Sequence, residues 1–259
     1  VFGLLKKRRR AQLRAQPLPA EWRQVVEKVA LCRRLPAADR AELHGHIQVL
    51  LAEKRFEGCG GLEITDEIRV TIAAQAAVLL LHRDTDYFPT VSSVLVYPKA
   101  YWSKERRREK SGLVAEYDSV RLGEAWHRDL LVLAWDEVRA KAGGRRRSVN
   151  LVLHEFAHAL DHEDGAANGA PLLPDRTLAA RWAPVMEAAY EQLKAAADEE
   201  QETVLDSYGA QDPAEFFAIA TEAFFEVPGE LRDEQPELYD LLKSYFRQDP
   251  ATEYARSAE

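Results

Sequence analysis

The chain has 259 residues and a mass of 29.3 kDa, with 46% hydrophobic and 30% charged residues, a globular composition that excludes a disordered or fibrous protein. Its net charge of −8, from 35 basic and 43 acidic residues, disfavours non-specific affinity for nucleic acid. The longest apolar stretch, Ile72 to Leu81, is interrupted by Gln75 and is about half the length of a membrane span, while two cysteines, Cys32 and Cys59, exclude a disulfide-stapled scaffold and are expected as reduced thiols.

The first 14 residues, VFGLLKKRRRAQLR, hold six cations and no acid. A secretory signal would place its charges before a long apolar core, and here they follow five residues, so the protein is expected in the cytoplasm. Leu4, Leu5 and Leu13 permit a short basic amphipathic helix able to touch a membrane or nucleic acid, but residues 1–16 are expected as a flexible, solvated tail. Pro17 and Pro19 end it, and a helical part follows over 17–85. Trp22, Val25, Val26 and Val29 recur at helical spacing, as do Leu43, Ile47, Leu50 and Leu51. Gly58, Gly60 and Gly61 read as turns, and Thr65 or Asp66 opens a buried helix over 67–82. His44, His46 and His82 lack carboxylate-rich ligand spacing and read as surface or packed histidines.

From Asp86 the texture changes, and 86–259 reads as a second part that can pack with the first as one domain. Strands are expected over 91–97 and 130–135, with a weaker one over 114–117. The charge run 104–110 reads as a solvated loop or helix face. Arg145 to Arg147 lead into a helix that Ser148 can cap, and further helices are expected over about 178–197, 213–226 and 236–246. This predicts an α+β fold, a small mixed sheet among many helices.

The informative segment is His154-Glu-Phe-Ala-His158-Ala-Leu-Asp161. At 3.6 residues per turn the two imidazoles project from one face of a helix and can share one Zn²⁺, while Glu155 turns away from the pair and can take a proton from water. A catalytic zinc needs a third protein ligand and an open position. His162 lies about 12 Å along the axis from His154, too far for a shared ion on one straight helix. Asp161 replaces the glycine of the metzincin pattern, and the thermolysin pattern N-E-x-x-S-D is absent; Asp161 is instead a candidate hydrogen-bond acceptor behind His158. In Tyr208-Gly-Ala-Gln-Asp-Pro-Ala-Glu215-Phe-Phe-Ala-Ile-Ala-Thr-Glu222, Asp212 reads as a cap and Pro213 as the first helical residue. Glu215 and Glu222 share a face seven residues apart, so spacing leaves both open as the third ligand; Glu202, Asp206 and Glu226 are weaker rivals.

The H-E-x-x-H segment, Glu163-Asp-Gly-Ala-Ala-Asn168-Gly and the Tyr208–Ala218 segment, with Tyr97-Pro98 and Leu133-Ala-Trp135-Asp136 upstream, resemble the Mlc titration factor A family of bacterial zinc peptidases, over roughly 21–246. The Tyr208 segment is also similar to the catalytic domain of anthrax lethal factor, although Ile219 stands where the toxin has a further glutamate. The resemblance implies one zinc per chain held by His154, His158 and Glu215, with Tyr208 beside the ion, and leaves Glu222 as a supporting residue. It implies a zincin-like catalytic part over 86–259, with Glu155 as general base and Tyr208 as electrophilic stabiliser, acting as an aminopeptidase on peptide substrates. It further implies binding of the Mlc transcriptional repressor, which regulates the glucose phosphotransferase system. The competing expectation is a non-catalytic zinc protein that sequesters a repressor. An extended peptide is expected to add to the strand over 130–135 by analogy.

Overall fold

Proline and glycine punctuate the chain into twelve helices and five strands among the residues described by the computed structural model, which are 2–99, 102–108, 114–120, 129–144 and 149–257. Arg145 to Ser148, expected to lead into the H-E-x-x-H helix, lie outside the described residues. The structure differs from the flexible tail expected over 1–16. Helix α1 spans Phe2–Ala15 and packs against the later helix α4. Arg10, only 8% exposed, donates to both carboxylate oxygens of Glu53 at 2.8 and 2.7 Å and to the Asp86 carbonyl at 2.9 Å. Its guanidinium also pairs with the Asp86 carboxylate and lies over the Tyr87 ring. A buried guanidinium with carboxylates on two sides holds the helix on the body.

Helices α2 (Ala20–Val26) and α3 (Ala30–Arg33) divide what the spacing reads as one helix, and α4 (Ala37–Glu53) buries Leu43, Ile47 and Leu50. Strand β1 (Arg55–Gly58) lies where no strand is expected, between the end of the helical pattern and the turn at Gly58. Thr65 caps α5 (Asp66–Val78) by accepting from the Ile68 N–H, and the helix is almost wholly buried from Ile68 onward. Strands β2 (Ser93–Tyr97), β3 (Trp102–Arg108), β4 (Val114–Val120) and β5 (Leu130–Ala134) follow.

The mixed sheet expected from the sequence is corrected in its topology. β1, β2 and β5 form a wholly parallel sheet in that order, with Phe56 opposite Val94 and Val94 opposite Leu131. Among the described residues, antiparallel pairing is confined to a separate ribbon of β3 and β4, and most of the charge run expected as loop or helix lies in β3. Parallel neighbours cannot be joined by a tight hairpin, so each connection is long, and α5 lies in the first of them.

The helices that complete the chain are α6 (Trp135–Ala142), α7 (Leu151–Asp161), α8 (Arg176–Asp198), α9 (Pro213–Glu226), α10 (Pro228–Glu234), α11 (Pro236–Phe246) and α12 (Pro250–Ser257). Proline opens α9, α10 and α11, where its missing N–H costs no helical bond. One hydrophobic cluster runs from Leu18 to Phe246, with α7 and α9 side by side within it. No helix among the described residues is long and apolar enough to cross a membrane. Both cysteines are free thiols.

The anchored α1 has a measurable consequence. Arg10→Ala is expected to lower the unfolding free energy by about 2 kcal/mol, whereas Arg8→Ala and Arg9→Ala, at exposed positions, change it by no more than about 0.5 kcal/mol. Urea denaturation of the three variants separates an anchored helix from a loose one.

Candidate metal centre

Helix α7 is capped by Asn150, whose Oδ1 accepts from the Leu153 N–H at 3.2 Å; Ser148, the expected cap, lies outside the described residues. Every residue from Leu151 to Asp161 is buried, so two histidines and a glutamate enter the interior on one apolar helix. The rings of His154 and His158 meet edge to face, 4.8 Å between centroids, with their Nε2 atoms 3.2 Å apart. From the first turn of α9, Glu215 brings Oε2 to 3.1 Å from Nε2 of His154 and 3.5 Å from Nε2 of His158. Asp212 accepts from the N–H groups of Ala214 and Glu215, which fixes that turn and leaves the Glu215 carboxylate directed at the histidines. Donors held at roughly 2.0–2.2 Å by a tetrahedral zinc ion lie about 3.3 Å from one another, and the three separations bracket that value. Among the described residues, no other group of three His, Cys, Asp or Glu side chains brings ligating atoms together in this way.

Proton positions point the same way. Nδ1 of His154 lies 2.8 Å from Oε1 of Glu222, and a carboxylate only accepts, so Nδ1 carries the proton. With Nδ1 protonated, loss of the Nε2 proton leaves that nitrogen's lone pair facing Glu215. Oε2 of Glu215 is buried without a hydrogen bond although two ring nitrogens stand within 3.5 Å. Two ring nitrogens and one carboxylate oxygen are thus gathered around a common point. Burial lowers the pKa of His154, but the Glu215 and Glu222 carboxylates outweigh it and push it up to about 10: the cluster favours positive charge at this point. Burial raises Glu215, and the two imidazoles overcome that to hold it at about 2. The donor set and its spacing fit a metal ion.

Glu155 is buried beside this cluster, and burial pushes its carboxyl up to about 7 against the opposing influence of His154 and His158. It therefore exchanges a proton near neutrality. Tyr208 stands on a short 3-10 turn, Ser207–Ala210, whose start Asp206 caps by accepting from the Tyr208 N–H. Its ring lies 6.2 Å from that of His154, and burial, reinforced by the charges of Glu215 and Glu155, pushes the phenol up to about 12, so it remains an O–H donor. Asp161, fully buried, accepts from the Gly169 N–H at 2.9 Å. Gly169 has φ +74°, and a Cβ there would stand 2.3 Å from the Pro213 carbonyl oxygen, so only glycine permits this approach. Asp161 thereby pins the loop after α7 against the first residue of α9, two positions before Glu215.

The profile of the glucose-regulated metallo-peptidase M90 family matches residues 4–247. The chain belongs to this family. The M90 chain is 37% identical over 244 residues to an uncharacterised protein of Synechocystis sp., covering 93% of this chain and 89% of that one. It is 31% identical to Mlc titration factor A of Serratia proteamaculans over 210 residues, covering 80% and 79% of the two chains. With Mlc titration factor A of Pectobacterium atrosepticum the identity is again 31%, over 230 residues and 88% and 86% of the chains. As a family of metallopeptidases, M90 implies a metal ion.

The remaining candidates in this M90 chain fall away from the convergent group. His162 begins the turn after α7, Glu202 is exposed, and Asp206 is the cap described above. Glu226 accepts from Asn150 Nδ2 at 2.7 Å and faces Lys141 Nζ at 3.4 Å. His46 is buried between Tyr87 and Glu42, and His82 pairs with Asp39 and Glu42 through its two different nitrogens. Asn150 is the residue that sequence reasoning missed, although an asparagine directly ahead of an apolar helix is itself an N-cap signal. Besides capping α7, its N–H donates to Oε2 of Glu222 at 2.6 Å and its Nδ2 to Glu226. Every polar group of its side chain is used.

Asn150→Asp keeps the cap acceptor but sets a carboxylate against Glu226. The expected loss is about 1–3 kcal/mol of stability, and adding Glu226→Gln, whose amide can donate to Asp, should recover at least half of it. Thermal unfolding of the single and double variants measures the coupling.

Proposed function

We infer that the chain is a zinc-dependent metallopeptidase of zincin type, with His154, His158 and Glu215 as the zinc ligands. The observation that carries this reading is the convergence of two imidazole Nε2 atoms and one carboxylate oxygen while the Nδ1 proton of His154 is committed to Glu222. When bound there, zinc supplies Lewis acidity that polarises the scissile carbonyl and acidifies water. Glu155 takes a proton from the attacking water and returns it to the leaving amine, a role suited to a buried carboxyl near 7. Tyr208 donates its O–H to the developing oxyanion. β5 is an edge of the parallel sheet among the described residues, and its outer backbone groups suit an extended peptide added as a strand. The aminopeptidase reading and a zinc stoichiometry of one per chain rest on the family resemblance.

The names of the Serratia and Pectobacterium relatives support a second reading that is compatible with the first: the chain binds the Mlc repressor and thereby withdraws it from its targets. Catalysis and sequestration separate at Glu155, which is not a ligand in this scheme. Glu155→Gln is expected to retain zinc and any repressor binding while peptide hydrolysis falls by about 10²–10⁴-fold. Unchanged hydrolysis in that variant would remove the catalytic assignment and leave the binding role ahead.

Metal content tests the ligands themselves. His158→Ala and Glu215→Gln are expected to lose most of the zinc, whereas Glu222→Gln should weaken it only about 10–100-fold by releasing the His154 ring. Elemental analysis after dialysis reads all three; zinc retained by Glu215→Gln and lost by Glu222→Gln would reverse their roles.

A further inference from the structure

Charge on this chain is strongly segregated. Helix α1 carries six cations and no acid, although acids outnumber bases in the chain by 43 to 35. Its inner side is fully engaged: Arg10 is buried against Glu53 and Asp86, Lys6 pairs with Asp86, Arg14 reaches Glu42, and Leu13 packs on the core. The helix is therefore presented in a fixed orientation. Arg8 and Arg9 point away from that side; they and Lys7, which lines a cleft at its flank, are exposed and have no carboxylate partner among the described residues.

The same outward side carries Leu4 and Leu5, 76% and 59% exposed, one turn ahead of Arg8 and Arg9. Leu172, 53% exposed, stands across a cleft from Gly3, Lys6 and Lys7. Five large hydrophobic side chains are exposed among the described residues, and these are three of them. Exposed aliphatic groups next to unpaired cations match a surface with acyl chains beneath anionic headgroups. A nucleic acid would use the cations and leave the leucines in water.

We propose that α1 docks this protein on the surface of an anionic phospholipid bilayer. Leu4 and Leu5 enter the acyl boundary, and Lys7, Arg8 and Arg9 meet headgroup phosphates, their long stems allowing the charged heads to stay at the interface. A few side chains give reversible attachment, which depends on both the apolar and the basic groups.

The test uses the full chain and sedimentation with phosphatidylcholine vesicles, plain or with about one-third phosphatidylserine, at about 0.1 M salt. Binding is expected to the anionic vesicles alone and should fall at about 0.5 M salt. Leu4→Ser/Leu5→Ser and Arg8→Gln/Arg9→Gln should each weaken it about tenfold or more. All four side chains are exposed, so both double variants should keep the wild-type unfolding midpoint and circular dichroism. No sedimentation, or equal sedimentation with plain phosphatidylcholine, would overturn the proposal. So would full binding by the leucine variant, or equal affinity for a nucleic acid of mixed sequence, since either result would reduce α1 to a general polyanion contact.

Discussion

The contact between His154 Nδ1 and Glu222 Oε1, 2.8 Å long, organises the interior of this protein. It joins α7 to α9, the two helices that carry the candidate site, at a point where both partners are buried. A buried imidazole and a buried carboxylate are each costly alone and tolerable together. The bond also selects the ring tautomer, which determines what the other nitrogen can do. Asn150 secures Glu222 from its second oxygen, so the carboxylate has no freedom to turn away. Further out, Glu226 and Lys141 continue the same seam between α6, α7 and α9.

Around that seam, the site is assembled from separate local rules. α7 supplies two imidazoles through a spacing of four, and α9 supplies a carboxylate through a first turn stabilised by Asp212 and Pro213. The approach of Gly169 to Pro213 sets where that turn begins, and Trp182 from α8 donates to the Gly169 carbonyl at 2.9 Å. Tyr208 rides on a turn packed against α8 and α9, where a Cβ on Gly209 would already crowd Ile219 and Leu193. The convergence of the three donor atoms therefore depends on loop packing well away from them.

Much of this was legible in the sequence because the signals are local. Asp212, Pro213 and the apolar run after them mark α9 at both ends, and α11 is similarly delimited by Pro236 and its buried leucines. The spacing of His154 and His158 already places both rings on one face. Features set by distant partners were not legible. β1 has the unpromising sequence Arg-Phe-Glu-Gly and is a strand because β2 lies beside it in register. α1 is held through Arg10 by residues 43 and 76 positions away, which no local pattern reports. Glu215 and Glu222 share one helix face, and spacing alone cannot separate them. Seven residues are about 10 Å along an axis, so where α9 passes α7 one carboxylate meets the Nε2 pair and the other meets Nδ1 behind it.

The parallel sheet has a cost on its open side. β5 reads Leu-Leu-Val-Leu-Ala, without charge or proline, and has no neighbour beyond it among the described residues. Such an edge invites pairing with any extended chain, and proteins commonly blunt it with lysine, a bulge or brevity. Brevity is the device visible here: five residues extend about 17 Å before Trp135 turns the chain into α6. An added strand can register only two or three side chains on each face of so short a template. Discrimination among chains by backbone pairing is correspondingly coarse, and the same shortness limits the stacking that would propagate an aggregate.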